Sequence, residues 1–146
     1  MSGERGVLLR PAAPGDGAAL LELLRQLGYP DAASFIHRRV CELAAHPDAL
    51  LLVAEVEGEV LGVISLHFIP QLAVAGDFCR ISYLCVGEGA RSAGVGALLE
   101  AAAVAEAQRR GCDRIELHCH ERRVHAHRFY ARQGYVESPK YLMKKV

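Results

Sequence analysis

From position 78 to position 86 the chain reads as a strand that alternates weakly and then turns apolar throughout, as a central strand would. Directly behind it stand Gly87, Gly89, Gly94 and Gly96, and from Gly94 the apolar residues Val95, Leu98, Leu99 and Ala102 recur at helical spacing. That helix closes at Arg109-Arg110-Gly111, which supplies cations and a left-handed terminator at its C-terminal end. A strand, a glycine-rich turn and a helix in immediate succession constrain the fold more than any other segment. They also leave backbone N–H groups pointing outward at the helix start, where an anion can sit.

The remaining elements fall around this unit. Residues 7–10 form a short strand closed by Pro11 and by the turn residues Pro14-Gly15-Asp16, with Asp16 placed to cap the helix that follows. Leucines at 20, 21, 24 and 27 mark a helix over 18–28, and a second helix is expected from about 32 to 45. Strands over 50–56 and 60–68 are joined through Glu57-Gly58-Glu59, a tight hairpin, and 70–77 is a loop. Residues 114–119 form a further strand, 124–133 a helix ended by Gly134, and 141–146 a last strand. The order is β-α-α-β-β-β-α-β-α-β, without an internal repeat, which predicts one α/β (α+β) domain over 1–146.

Charge excludes some functions. Seventeen basic residues balance seventeen acidic ones, which leaves no electrostatic footprint for nucleic acid or an anionic membrane. No stretch approaches the ~18 apolar residues of a membrane span and no signal-peptide core follows Met1, so a soluble, cytoplasmic protein is expected. The five cysteines (Cys41, Cys79, Cys85, Cys112, Cys119) are odd in number and lack Cys-x-x-Cys spacing, which favours buried free thiols over disulfides or zinc.

The glycine turn does not fit two common phosphate sites. A nucleoside triphosphatase loop ends Gly-Lys-Ser/Thr, whereas Gly96 is followed by Ala97 and Leu98, and a dinucleotide fingerprint needs a third glycine where Leu99 stands. What survives is a run of N–H donors at a helix N-terminus with the guanidinium of Arg91 beside it, suited to a pyrophosphate, against the plainer reading of an ordinary helix start.

The order of elements, the run Leu84-x-Val86 followed by Arg91-x-x-Gly94-x-Gly96, and the later Phe129-Tyr130-x-x-x-Gly134-Tyr135 together resemble the GNAT superfamily of acetyl-coenzyme A-dependent N-acetyltransferases. The resemblance implies a mixed central sheet flanked by helices and acetyl-coenzyme A as cosubstrate. It assigns pyrophosphate contacts to Arg91, Ser92, Ala93, Gly94, Val95 and Gly96, and pantetheine contacts, strand-like, to the backbone of Leu84, Cys85 and Val86. It also places His120 and Phe129 at the coenzyme and implies a small-molecule amine as acceptor, with dimerisation a family habit that no sequence stripe specifies. Within the superfamily, residues 64–68 and 126–130 look most like aminoalkylphosphonate acetyltransferases, although the 70–77 loop carries no cation to grip a phosphonate.

Such a reaction poses two acid–base problems. An alkylamine, with a pKa of about 10.4, must lose a proton to attack, and the departing thiolate must gain one. Tyr130 matches the family's general acid, though a tyrosine packed beside Phe129 is the structural alternative. For the base, relatives place an acidic residue just before Leu84, but here Tyr83 stands there, with Ser82 before it. His67 is the candidate, directly or through water, and a satisfied structural histidine is the alternative; Glu116 is an outside candidate. Further departures are Ser92 where glycine is usual, Glu88 where proline is common and His120 where asparagine is common. No cysteine sits in a nucleophile–base arrangement, which points to direct attack in a ternary complex; a coenzyme-binding sensor without turnover is the rival. The histidines at 118, 120, 125 and 127, with Cys119, suggest a metal-binding protein as a third reading, against which geometry argues: His118 and His120 share a strand face that Cys119 points away from, and His125 and His127 sit roughly 200° apart on a helix.

Overall fold

In the computed structural model, which describes residues 6–90, 93–119, 123–138 and 141–146, five strands form one sheet in chain order: β1 (Leu8–Pro11), β2 (Ala49–Val56), β3 (Glu59–Ile69), β4 (Phe78–Val86) and β5 (Arg114–Leu117). The first four pair antiparallel. β5 does not follow that rule. Asp113 N–H donates to the carbonyl of Asp77 at 2.8 Å and Glu116 pairs with Arg80, so β4 and β5 advance in the same direction, as a strand-helix-strand crossover demands. The sheet is mixed, in an α+β fold. The hairpin between β2 and β3 turns on Glu57 (φ 51°) and Gly58 (φ 83°), the two successive positive φ values that a two-residue loop of matching twist requires.

The chain divides into two units, Met1–Glu116 and Leu117–Val146. In the first, helices α1 (Gly17–Leu27) and α2 (Ile36–Ala45) cover one sheet face, burying Leu20, Leu23 and Val40 against Val53, Val63 and Cys85. The opposite face carries α3 (Val95–Arg109), whose buried row is Val95, Leu99, Ala103 and Ala107, with Leu98 and Ala102 half-buried beside it. That row lies over Ile64 and Leu66, and it comes so close because Gly62 has no side chain: a Cβ there would stand 2.8 Å from Val95 Cγ1.

Several expectations change. α2 starts at Ile36, not near 32, and one-turn 3-10 helices over Pro14–Asp16 and Glu88–Ala90 add to the expected order. Asp16 occupies the N-cap position of α1 without capping it; its carboxylate turns back to the Ala13 N–H (2.7 Å) and to Arg10. β5 stops at Leu117. The expected last strand does not form: residues 141–146 carry no strand, and Tyr141, Leu142, Met143 and Val146 are all exposed, so no pairing gives them a ladder. Nor are the thiols uniformly buried. Cys79 and Cys85 are, Cys112 and Cys119 are half-buried and Cys41 is exposed, and none forms a disulfide.

The second unit holds α4 (Val124–Arg132). Gly134, at φ 96°, ends it: its N–H reaches Ala131 O at 3.0 Å and Tyr135 N–H reaches Tyr130 O at 3.0 Å. No helix among the described residues is long and apolar enough to cross a membrane.

Candidate functional site

In the first unit the chemistry gathers along β4 and the start of α3. β4 is not a regular strand. Leu66 faces Ile81 and Ser65 faces Tyr83, so Ser82 is an extra residue, a bulge that bends the strand midway. β5, only four residues long and anchored at Asp77 and Arg80, accompanies the first half of β4. Past the bulge come Leu84, Cys85 and Val86, paired with Ile64, Val63 and Gly62 of β3. The Cys85 thiol points into the core under α1, donating to Leu23 O at 3.1 Å, so what this residue can offer a ligand is backbone.

The chain leaving β4 is then pinned. Gly87 N–H donates to Leu61 O (2.8 Å), Glu88 N–H to the side-chain carbonyl of Gln26 (3.1 Å), Ala90 N–H to Gly87 O (2.9 Å) and Ala93 N–H to Ala90 O (3.1 Å). Gly94, at φ 79°, reverses it into α3, whose first regular bond is Leu98 N–H to Gly94 O at 3.1 Å. As N-cap, Gly94 brings no side chain to occupy the N–H groups of the first turn, at Val95, Gly96 and Ala97, which have no acceptor within the helix. Those donors and the helix dipole make a place for an anion. Arg91 and Ser92, assigned to the same cradle, lie outside the described residues, as does His120.

His67 sits half-buried on β3, opposite Arg80, with its Nδ1 2.9 Å from Ser82 Oγ. Burial, with His46 and Arg80 adding repulsion, lowers its pKa below 6.5, so the ring is neutral at physiological pH. Glu116 is otherwise engaged: Arg80 Nε donates to its Oε2 at 2.9 Å and a second guanidinium N–H reaches the same oxygen. Tyr83, where a carboxylate was looked for, stands edge-on to Tyr29 with ring centroids 5.4 Å apart. The bulge, and with it the His67–Ser82 contact, is the feature that sequence reasoning missed; a lone serine within a strand carries no signal for it.

Phe129 and Tyr130 belong to the second unit. On α4 their rings meet at 5.2 Å, and Tyr130 meets Tyr135 at 5.4 Å, both edge-to-face. His118 there packs on Tyr141, ring to ring at 4.1 Å. Among the described residues no group of three or more His, Cys, Asp or Glu side chains is placed to hold a metal ion.

Comparison with known proteins decides the family. The model of the acetyltransferase (GNAT) family matches residues 18–135. The chain belongs to the GNAT acetyltransferase family. One curated GNAT relative, aminoalkylphosphonate N-acetyltransferase of Salmonella typhimurium, is 41% identical over 81 residues, 56% of this chain, and the match spans about half (53%) of the relative's length. Among solved structures, a transcriptional regulator from Bacillus halodurans superposes with a TM-score of 0.86 at 26% identity, covering 96% of this chain and 99% of that one. Glucosamine-6-phosphate N-acetyltransferase from Arabidopsis thaliana gives a TM-score of 0.83 at 20% identity, over 95% and 97% of the two chains, a likeness of fold.

Proposed function

We propose that this GNAT protein transfers acetyl from acetyl-coenzyme A to the primary amine of a small molecule by direct attack in a ternary complex. The observation that carries the reading is the start of α3. A glycine N-cap, held directly behind a bulged strand, presents first-turn amides that suit a diphosphate. On this reading Ala93, Gly94, Val95 and Gly96 hold the diphosphate together with Arg91 and Ser92, and the backbone of Leu84, Cys85 and Val86 lines the pantetheine arm. His120 and Phe129 contact the coenzyme, and Tyr130 is the general acid. His67 is the base, its neutral ring able to accept a proton at physiological pH.

The chemistry is balanced within the complex. The amine nitrogen bonds to the acetyl carbon and the carbonyl electrons move to oxygen. On collapse the carbon–sulfur bond breaks, the thiolate takes the phenolic proton of Tyr130, and the amine proton leaves through His67. A covalent acetyl-enzyme is disfavoured: burial and Cys112 push the Cys79 thiol up to about 12, and Cys85 faces the core. Five cysteines without a disulfide suit a cytoplasmic enzyme.

The acceptor to test first is an aminoalkylphosphonate, because the relative of that name shares 41% identity over 81 residues. Thiol release from acetyl-coenzyme A across a panel of amines is expected for wild type, and Tyr130→Phe is expected to lower kcat about 10²-fold with coenzyme affinity unchanged. Tyr83 in place of a carboxylate favours a second reading, an acyl-coenzyme A sensor. Micromolar coenzyme binding with no turnover of any amine selects it.

A further inference from the structure

We propose that Ser82 is the relay through which His67 receives the proton of the acceptor amine, its hydroxyl standing in for the carboxylate that position 83 lacks. The proposal rests on the acetyl-transfer reading above and adds a catalytic residue to it. Its ground is local geometry. The bulge makes Ser82 the supernumerary residue of β4, exposed rather than turned into the sheet, and it stands two positions before Leu84, where the acyl arm is assigned. Ser82 Oγ stands 2.9 Å from His67 Nδ1, a diagonal contact across the two strands, since the direct partner of His67 is Arg80.

Direction follows from the neighbours. The charged groups facing His67 are His46, at the end of α2, and Arg80 on β4, and across β2 its partner is Ala49. Arg80 is itself bound to Glu116 of β5. Among the described residues no carboxylate lowers the cost of an imidazolium there, so the resting ring is neutral, and the relay uses its tautomer protonated on Nε2, which accepts the serine proton at Nδ1. The acceptor enters as its neutral amine, having left its ammonium proton with solvent, and as it attacks its nitrogen becomes acidic. One proton passes from nitrogen to Ser82 Oγ while the serine's own proton passes to His67 Nδ1, and the imidazolium then loses a proton to water. Serine ends as it began, no bond to it forms or breaks beyond O–H, and no further reactant is needed.

The test compares wild type, Ser82→Ala, Ser82→Thr and His67→Gln by steady-state kinetics over pH, with coenzyme affinity and Tm measured for each. Wild-type kcat is expected to fall along an acidic limb below pH 6.5, the side to which His67 is shifted. Ser82→Ala and His67→Gln should each lose kcat about 10²-fold and lose that limb, with KM and Tm close to wild type, and Ser82→Thr should recover both rate and limb. A merely structural serine gives another pattern: either Ser82→Ala works as wild type with its limb intact, or alanine and threonine are equally impaired with lowered Tm. Either result overturns the relay. Failure of the acetyl-transfer reading is distinct, because wild type itself then releases no thiol at any pH, and the relay falls with it.

Discussion

Asp16 shows how one side chain can organise a chain entry. Asp16 is 9% exposed, and its carboxylate accepts two guanidinium bonds from Arg10 at 2.8 and 2.9 Å and the Ala13 N–H at 2.7 Å, while Arg10 Nε reaches Glu55 at 2.8 Å. The Arg10 guanidinium holds this carboxyl below the 3.8 of an unperturbed aspartate, outweighing burial, which pushes the other way. Folded protein therefore binds fewer protons than unfolded chain in the acid range. The stabilisation is complete above pH 3.8 and is lost as pH falls through the lower folded value. Asp16→Asn should cost about 2–3 kcal/mol in urea unfolding at neutral pH. That difference should shrink on acidification below pH 3.8, and one that stays constant contradicts the pairing. Thiol chemistry divides at the same scale. With Cys41 exposed and the Cys79 thiol buried and pushed up to about 12, iodoacetamide at neutral pH should modify Cys41 and spare Cys79 and Cys85 until the chain is unfolded, as peptide mass mapping will read.

Between elements, the contact that sets the position of the candidate anion site is α3 on β3. Gly62 is the reason it is close. A Cβ at that position would meet Val95 Cγ1 at 2.8 Å and Leu99 Cδ1 at 3.1 Å, and Val95 is the first residue of α3. Gly62→Ala should destabilise by about 1–3 kcal/mol and weaken coenzyme binding, because the helix start has to move. Gly15→Ala, with nothing within 4 Å, is the control expected to do neither. The sequence made the large elements legible: β4 over Phe78–Val86 and the Glu57-Gly58 hairpin stand where apolar runs and turn residues place them. It did not reveal Ser82 as a bulge, because which of two adjacent residues slips is decided by pairing with β3, a non-local contact. The final strand failed for a related reason. The apolar residues Tyr141, Leu142, Met143 and Val146 suggest a strand, yet a strand exists only by virtue of a neighbour. Of the candidate site, the helix start with Gly94 as its N-cap was readable from glycines, whereas the hydrogen bond of His67 to Ser82 was not.

For the whole molecule, charge and ligand are linked. With seventeen residues of each sign there is no general field to draw in a polyanion, so on the proposed reading attraction to a diphosphate comes from the local amides, the α3 dipole and Arg91. Anything that binds only the folded chain stabilises it by mass action, by about 2.7 kcal/mol at roughly a hundred times Kd, which for a domain of this size raises Tm by about 5–10 °C. Coenzyme A should produce that rise in differential scanning fluorimetry, with a shallow dependence on salt, and pantetheine without the diphosphate should produce much less. Gly94→Asp is the discriminating variant: its φ of 79° is one that aspartate tolerates better than most residues, while the new carboxylate lands at the mouth of the first turn and repels the ligand. The shift should vanish in that variant, whose Tm without ligand falls by a few degrees because an L residue at this φ is strained by about 1–2 kcal/mol. An undiminished shift would mean that the diphosphate is held somewhere other than the start of α3.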